Sequence, residues 1–476
     1  MSDGLREAVA AIVGAQNVLE DPSDQAPYVT DWRDRYHGKA RFVVRPGSAA
    51  EVAEVVKLCA AARVPMVPQG GNTGLCGGAT PDKSGAAVVF RLDRMNRIRE
   101  INPTAGTMIV EAGSVLADLQ SAADQAGLLF PLSLGAEGSC RIGGNISTNA
   151  GGVAVLRYGP TRDLVLGLEV VLADGTIRDW MSPLRKNTTG YDLKQLFIGA
   201  EGTLGIITAA ALKVFPKPRQ TAVAMATLGS VADALELLGL VRSSLGDRLS
   251  SFEIMSWTQV DVVLRHIPGT TMPFGERAPW YILIEATDTL ADLDLRQALE
   301  TTLAEALEKK LIRDAVVPSS EAQAAALWRV RHSVSEANKR DGLGVSHDTA
   351  VPLDRQAEFA RQIEARIGRA FPDAPLLMTG HIGDGNIHVI ALLDKERYAE
   401  KSRFESAAAE INGIVDEVTL SLHGTISAEH GIGVTNKQRL MAGRGAADVE
   451  LMRGIKRLLD PLGLMNPGKV FDLELA

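Results

Sequence analysis

Two histidines, His381 and His388, lie inside a stretch from 376 to 390 that reads as two short strands joined by a tight turn. With Asp384-Gly385 as a two-residue turn, His381 falls directly opposite His388. Opposed residues on one face have Cβ atoms about 4.5–5.5 Å apart, so both imidazoles could bind one cation at about 2.0–2.1 Å, or form a hydrogen-bonded surface pair. Further on, Glu429-His430 sits in Thr425-Ile426-Ser427-Ala428-Glu429-His430-Gly431-Ile432-Gly433. Neighbours on extended chain point to opposite faces, which lets the two serve different tasks around one pocket or simply end a solvated strand. Trp328 to Ser335 has a helical pattern that puts Arg331 and Ser335 on one face. A guanidinium fork there suits a carboxylate, and a plain surface arginine fits the pattern equally. Trp328 reads as core.

Glycine accounts for 46 of 476 residues, with the excess clustered between Gly70 and Gly205. Three tracts stand out: 69–78, 135–152 and 199–205. Only glycine lets main-chain N–H groups approach a flat or phosphorylated ligand so closely, although any one tract could be a set of tight turns. The first tract follows a strand but opens into no helical pattern, which demotes a Rossmann dinucleotide fingerprint.

The elements that must position these groups follow from periodicity. Leu5, Val9, Ile12 and Val13 mark an opening amphipathic helix. A strand at 41–45 precedes a helix to about 62, capped by Ser48 with Glu51 three residues on, and a strand follows at 64–68. Strands are expected at 86–90, 97–101 and 107–111, with a helix over 115–126 stopped by Gly127. Segments 165–172 and 176–180 flank the turn Ala173-Asp174-Gly175, and an apolar strand over 206–214 leads into Phe215-Pro216-Lys217-Pro218, read as a linker. Beyond it come long alanine- and leucine-rich helical stretches, so a domain boundary falls there.

Composition limits the options. With 50 Lys and Arg against 58 Asp and Glu, the net charge of −8 disfavours nucleic acid as a partner. The three cysteines, Cys59, Cys76 and Cys140, fit no metal or redox spacing and no disulfide framework. No apolar run approaches about 20 residues, and the first residues carry acidic charge, so the expectation is a cytoplasmic protein with no transmembrane segment.

Pro68-Gln69-Gly70-Gly71-Asn72-Thr73-Gly74, Ile142-Gly143-Gly144-Asn145 with Thr148-Asn149-Ala150-Gly151-Gly152, Gly190-Tyr191-Asp192-Leu193, and Glu201-Gly202-Thr203-Leu204-Gly205-Ile206-Ile207 resemble the FAD domain of the vanillyl-alcohol oxidase and p-cresol methylhydroxylase superfamily. The ending Met465-Asn466-Pro467-Gly468-Lys469-Val470-Phe471 extends the resemblance over nearly the whole chain, most closely to D-2-hydroxyglutarate and D-lactate dehydrogenases. The resemblance implies an α+β protein: a two-part FAD-binding domain (1–218), an α+β substrate or cap domain with an antiparallel sheet (219–425), and a C-terminal helical segment returning to the flavin (426–476). It implies non-covalent FAD contacted by Pro68, Gly70, Gly71, Asn72, Thr73 and Gly74 at the pyrophosphate, and by Pro131, Gly138, Ser139, Ile142, Gly143, Gly144, Asn145, Thr148, Asn149, Gly151 and Gly152 along the flavin ring and ribityl chain. Glu201, Gly202, Gly205, Ile206 and Ile207 would support the adenine side, with Asn466 and Lys469 approaching from the far end of the chain. Cys140 stands in a position reminiscent of a linking cysteine in some relatives, yet both it and Cys76 read as small packing residues.

The same resemblance implies a divalent metal, zinc or alternatively manganese, on His381, His388 and Glu429, with His430 as base and Arg331 beside Ser335 gripping the substrate. The chain departs from the D-2-hydroxyglutarate pattern at Val345-Ser346-His347-Asp348, where a lysine is missing, and at Ile390, where asparagine is replaced. His347 could stand in for the lost cation. The expected reaction oxidises a small-molecule D-2-hydroxy acid to the 2-oxo acid, passing electrons to an electron-transfer flavoprotein, quinone or cytochrome, in a homodimer. The alternatives are an oxygen-using flavin oxidase and a non-redox transferase similar to alkylglycerone-phosphate synthase.

Overall fold

The structure, a computed structural model, describes residues 3–473. It divides into two compact units, one comprising Met1–Gly152, Gly159–Lys217 and Glu429–Ala476, the other Val153–Tyr158 and Pro218–Ala428. The C-terminal segment is therefore part of the first unit.

In the first unit the opening helix Asp3–Val13 buries Val9 and Val13, an i, i+4 pair on its apolar stripe. Phe42–Val44, Val88–Arg91 and Met66–Gln69 run parallel in a four-stranded sheet, and their near-continuous apolar character is what a sheet covered on both faces requires. The crossover helix Ala49–Ala61 is capped as expected: Ser48 Oγ accepts from Glu51 N at 3.2 Å. The returning Glu51 carboxylate accepts from Gly47 N at 2.7 Å, one residue earlier than a standard box.

A five-stranded antiparallel sheet runs in the order Ile98–Asn102, Thr107–Glu111, Ile206–Lys213, Val165–Val171, Ile177–Trp180. Its central strand, Ile206–Lys213, is buried along almost its whole length. One local expectation is corrected, and one element appears that the sequence reading did not include. Phe215–Pro216 is not a free linker but pairs with Leu128–Leu129, a two-strand edge where a residue without N–H is tolerated. The second glycine tract contains a helix, Ile142–Thr148, driven by the fully buried pair Ile142 and Ile146 and ended by Asn149 at φ +50°.

The second unit is built on a seven-stranded antiparallel sheet. Its order is Asp314–Val316, Gln220–Leu228, Trp280–Asp288, Leu249–Ser256, Leu376–Gly380, Asn386–Leu393, Leu343–Ala350. Alternate residues of each strand feed two cores. Ile282, Ile284 and Val389 pack with helices Val231–Leu245, Leu295–Glu308, Gln356–Ala370 and Lys401–Ser421. Tyr281, Leu283 and Ile390 pack with Trp257–His266, Glu321–His332 and Val334–Asp341. Each fully buried aliphatic side chain contributes about 1.5–3 kcal/mol, so the sheet is held from both sides.

The histidine hairpin departs from its predicted register. Thr379, not His381, faces His388, and the connection from His381 to Gly385 winds through a 3₁₀ turn, Ile382–Asp384, with Gly385 at φ +93°. The slip is two residues, and because side chains alternate with period two, His381 keeps the face of His388.

Candidate functional site

In the first unit, Pro68, Gly70, Gly71, Asn72, Thr73 and Gly74 line one cleft together with Gly143, Gly144, Asn145 and Thr148, and with Glu201, Gly202, Gly205, Ile206 and Ile207. All three tracts thus share a single wall. Cys76, Cys140, Arg141 and His430 complete it. The glycines divide by role. A Cβ on Gly71 would meet Ser139 O at 2.4 Å, and one on Gly205 would meet Val170 Cγ1 and Val171 O at 2.9 Å, so these two permit chain-on-chain packing. A Cβ on Gly74 or Gly144 meets nothing within 4 Å, so there the bare backbone faces space that a ligand can fill.

FAD fits this wall. Asn145 is buried on the cleft, and its Oδ1 has no hydrogen-bond partner in the chain, a state a polar ligand atom would relieve. Arg141 lines the cleft while its guanidinium donates to Gly113 O, and Arg91 donates to Gly70 O under the first tract. Two cations near a backbone cradle suit a pyrophosphate. Sequence reasoning missed both, since an arginine carries no spacing signal of its own.

The remaining cofactor candidates do not line the cleft, and several have other partners. Ile142 is core; Asn149 Oδ1 accepts from Arg162 N at 2.8 Å. Gly138 and Ser139 are exposed, and Pro131 is buried. A Cβ on Gly151 would strike Glu429 Oε2 at 2.5 Å, and Gly152 N donates to that same oxygen at 3.2 Å. Asn466 Nδ2 donates to Gly78 O and Glu201 O at 2.9 and 2.7 Å, tying the chain end to the tracts. Lys469 is buried, and burial pushes its ammonium down to about 8.

Glu201 does more than border the cleft. Its Oε1 accepts from Ile432 N at 2.7 Å and its Oε2 from Gly433 N at 2.8 Å, fixing the turn directly after His430. Burial raises its carboxyl despite those two donors and Lys469. The expectation that Glu429 and His430 face opposite ways is corrected: Glu429 Oε1 and His430 Nε2 are 3.9 Å apart, because the chain bends here, with Gly431 at φ +82°, instead of running extended.

In the second unit, a polar row lies on the sheet face covered by Trp257–His266 and Glu321–His332. His381 and His388 approach edge to face, with ring centroids 5.9 Å apart. His381 Nδ1 is 2.7 Å from Glu253 Oε1, and His388 Nδ1 is 3.5 Å from Asp348 Oδ1. Asp348, which is buried, also accepts from Asn386 Nδ2 at 3.1 Å and from Ser427 Oγ at 3.5 Å. Neither Glu253 nor Asp348 was singled out from the sequence. Each becomes meaningful only through cross-strand pairing, Asp348 directly opposite His388. Nitrogen donors backed by carboxylates match the chemistry of a zinc-type cation site. Glu429, third in the ligand set that the resemblance implies, is a residue of the first unit.

The reading that puts Arg331 and Ser335 on one helix face is corrected. Arg331 is buried, and its Nε and Nη2 donate to Glu253 Oε2 at 2.8 and 2.7 Å, so its charge is countered within the fold. It shares no continuous helix with Ser335: Glu321–His332 stops at Ser333 and a second helix, Val334–Asp341, carries Ser335 exposed. Trp328 is partly buried against the core and donates from Nε1 to Glu285 Oε2 at 2.8 Å. His347 does not share the face of the polar row. One residue from Asp348, it points through the opposite sheet face, with Nε2 at 2.8 Å from Asn412 Oδ1 on Lys401–Ser421.

Residues 40–180 match the FAD binding domain family, and residues 217–470 match the FAD linked oxidases, C-terminal domain. The chain is 38% identical over 464 residues to the mitochondrial D-2-hydroxyglutarate dehydrogenase of Arabidopsis thaliana, covering 98% of this chain and 81% of that one. It is 37% identical to D-2-hydroxyglutarate dehydrogenase of Xanthomonas citri pv. viticola, covering 99% and 97%. The solved structure of p-cresol methylhydroxylase with substrate bound superposes with a TM-score of 0.75 at 17% identity, over 99% of this chain and 97% of that one. The expectation of a cytoplasmic protein does not stand: curated relatives from plant to cattle are named as mitochondrial, and neither cysteine count nor initial charge decides a compartment. Among the described residues, no helix is long and apolar enough to cross a membrane. With one cleft built from three glycine tracts, and near full-length identity to these enzymes, the chain belongs to the D-2-hydroxyglutarate dehydrogenase family of FAD-linked oxidases and is an FAD-dependent 2-hydroxyacid dehydrogenase of p-cresol methylhydroxylase-type fold.

Proposed function

We propose that the substrate is a D-2-hydroxy acid of the D-2-hydroxyglutarate or D-lactate type, oxidised at C2 to the 2-oxo acid with His430 as the base. The observation that carries this reading is the position of His430 on the wall of the glycine-tract cleft, where an alcohol proton can be taken beside the cofactor. FAD bound in the cleft supplies the two-electron acceptor for the C2 hydride. Glu201 sets the turn after His430 and so orients the base.

A divalent cation, zinc or manganese, at His381 and His388 is the second part of the proposal, supported by the 5.9 Å approach of the rings and the carboxylates behind them. Its charge would lower the pKa of a coordinated hydroxyl. The deciding experiment is anaerobic: flavin absorption is followed while paired D and L hydroxy acids are added. Bleaching by D-2-hydroxyglutarate or D-lactate and not by the L forms is expected. A yellow protein that no hydroxy acid reduces would end this reading, and peroxide release at each turnover would mark an oxidase instead.

A further inference from the structure

We propose that Glu253 is a positioning residue for the cation site: its carboxylate holds His381 by Nδ1, which makes Nε2 the ligating nitrogen, while Arg331 counters its charge. The inference rests on the reading of His381 and His388 as cation ligands.

Glu253 lies mid-strand in Leu249–Ser256, a strand otherwise made of apolar and hydroxyl side chains, and it is 1% exposed. Removing a carboxylate from water costs several kcal/mol unless charge and hydrogen bonds offset it. Here both oxygens are engaged, Oε1 by His381 at 2.7 Å and Oε2 by the Arg331 fork at 2.7–2.8 Å. A carboxylate oxygen accepts, so in this contact Nδ1–H is the donor and Nε2 is the nitrogen left for ligation. The same contact fixes the ring's rotation.

A second acid on this face sharpens the assignment. Glu285, on the neighbouring strand, is bound by Trp328 Nε1 and Ser250 Oγ at 2.8 and 3.2 Å. Burial raises its carboxyl, and the charge of Glu253 raises it further. Of the two, the acid that meets the imidazole is the one with the arginine.

Partners of this kind typically change metal affinity by about 10–100-fold when removed. In the FAD-loaded protein, Glu253→Gln keeps the shape and removes the charge. Zinc affinity, measured by competition with a chromophoric chelator, should weaken by about 10–100-fold, with flavin content retained and the visible bands of a cobalt-substituted sample shifted. Glu253→Asp, which withdraws the carboxylate by one methylene, should move affinity in the same direction and serves if the glutamine variant does not fold. Wild-type zinc affinity in a folded variant overturns the role of Glu253. His381→Ala separates the two layers: zinc bound as tightly as by wild type would bring down the cation site itself, whereas zinc lost there but kept in Glu253→Gln brings down only the positioning role.

Discussion

His430 and Lys469 illustrate how little a residue's type says until its surroundings are known. His430 lines the cleft, partly exposed, with its loop pinned by the Glu201 carboxylate. As the base, its replacement by Asn should lower kcat by about 10²–10⁴ while bound FAD is retained. Unchanged turnover in His430→Asn would remove it from that role. Lys469 was expected to approach the cofactor, yet burial is what dominates its chemistry, lowering it from 10.5 to about 8. Between those values the unfolded chain binds a proton that the folded chain has released, so this group makes stability rise with pH across that window. Lys469→Met should flatten the rise, read as the difference in urea midpoint between about pH 8 and pH 10.

At the scale of elements, the glycine tracts separate into positions that serve the protein's own packing and positions that leave room. Gly144 lies in the helix Ile142–Thr148 with open space where a side chain would project. Gly144→Val should therefore fold and lose FAD, seen as a fall in the ratio of flavin to protein absorbance; a flavin content equal to wild type would contradict the assignment of that space to the cofactor. The sequence pattern located the strands on both sides of the first tract and those following the second and third, because their burial is one-dimensional, a run of apolar residues closed by turn residues. It missed the helix inside the second tract, since Gly143 and Gly144 dilute the i, i+4 signal of Ile142 and Ile146. It also misjudged the histidine connection. Asp384-Gly385 does end the turn, but the chain takes a 3₁₀ path through Ile382–Asp384 first, a choice set by packing of the fully buried Ile382 and not by local propensity.

At the scale of the whole molecule, the cofactor cleft belongs to the first unit and the imidazole pair to the second, so metal removal and cofactor removal should be separable. Chelation is expected to abolish flavin reduction by the hydroxy acid while the protein stays yellow, with zinc or manganese restoring it. Full reduction in a demonstrably metal-free sample would refute cation assistance. By itself the sequence determined the glycine tracts, the histidines, most strands and helices of the first unit, and the family, because these are carried by residue type and short spacing; the strands Gln220–Leu228, Leu249–Ser256, Trp280–Asp288 and Leu343–Ala350 emerge only in the fold. Only the tertiary structure decided that Glu253 stands behind His381, that Asp348 faces His388, that Arg331 is countered inside the fold and that His347 turns away. Those outcomes depend on strand register and on which face of a sheet a residue occupies, and a shift of one position reverses the face without altering the composition of the strand.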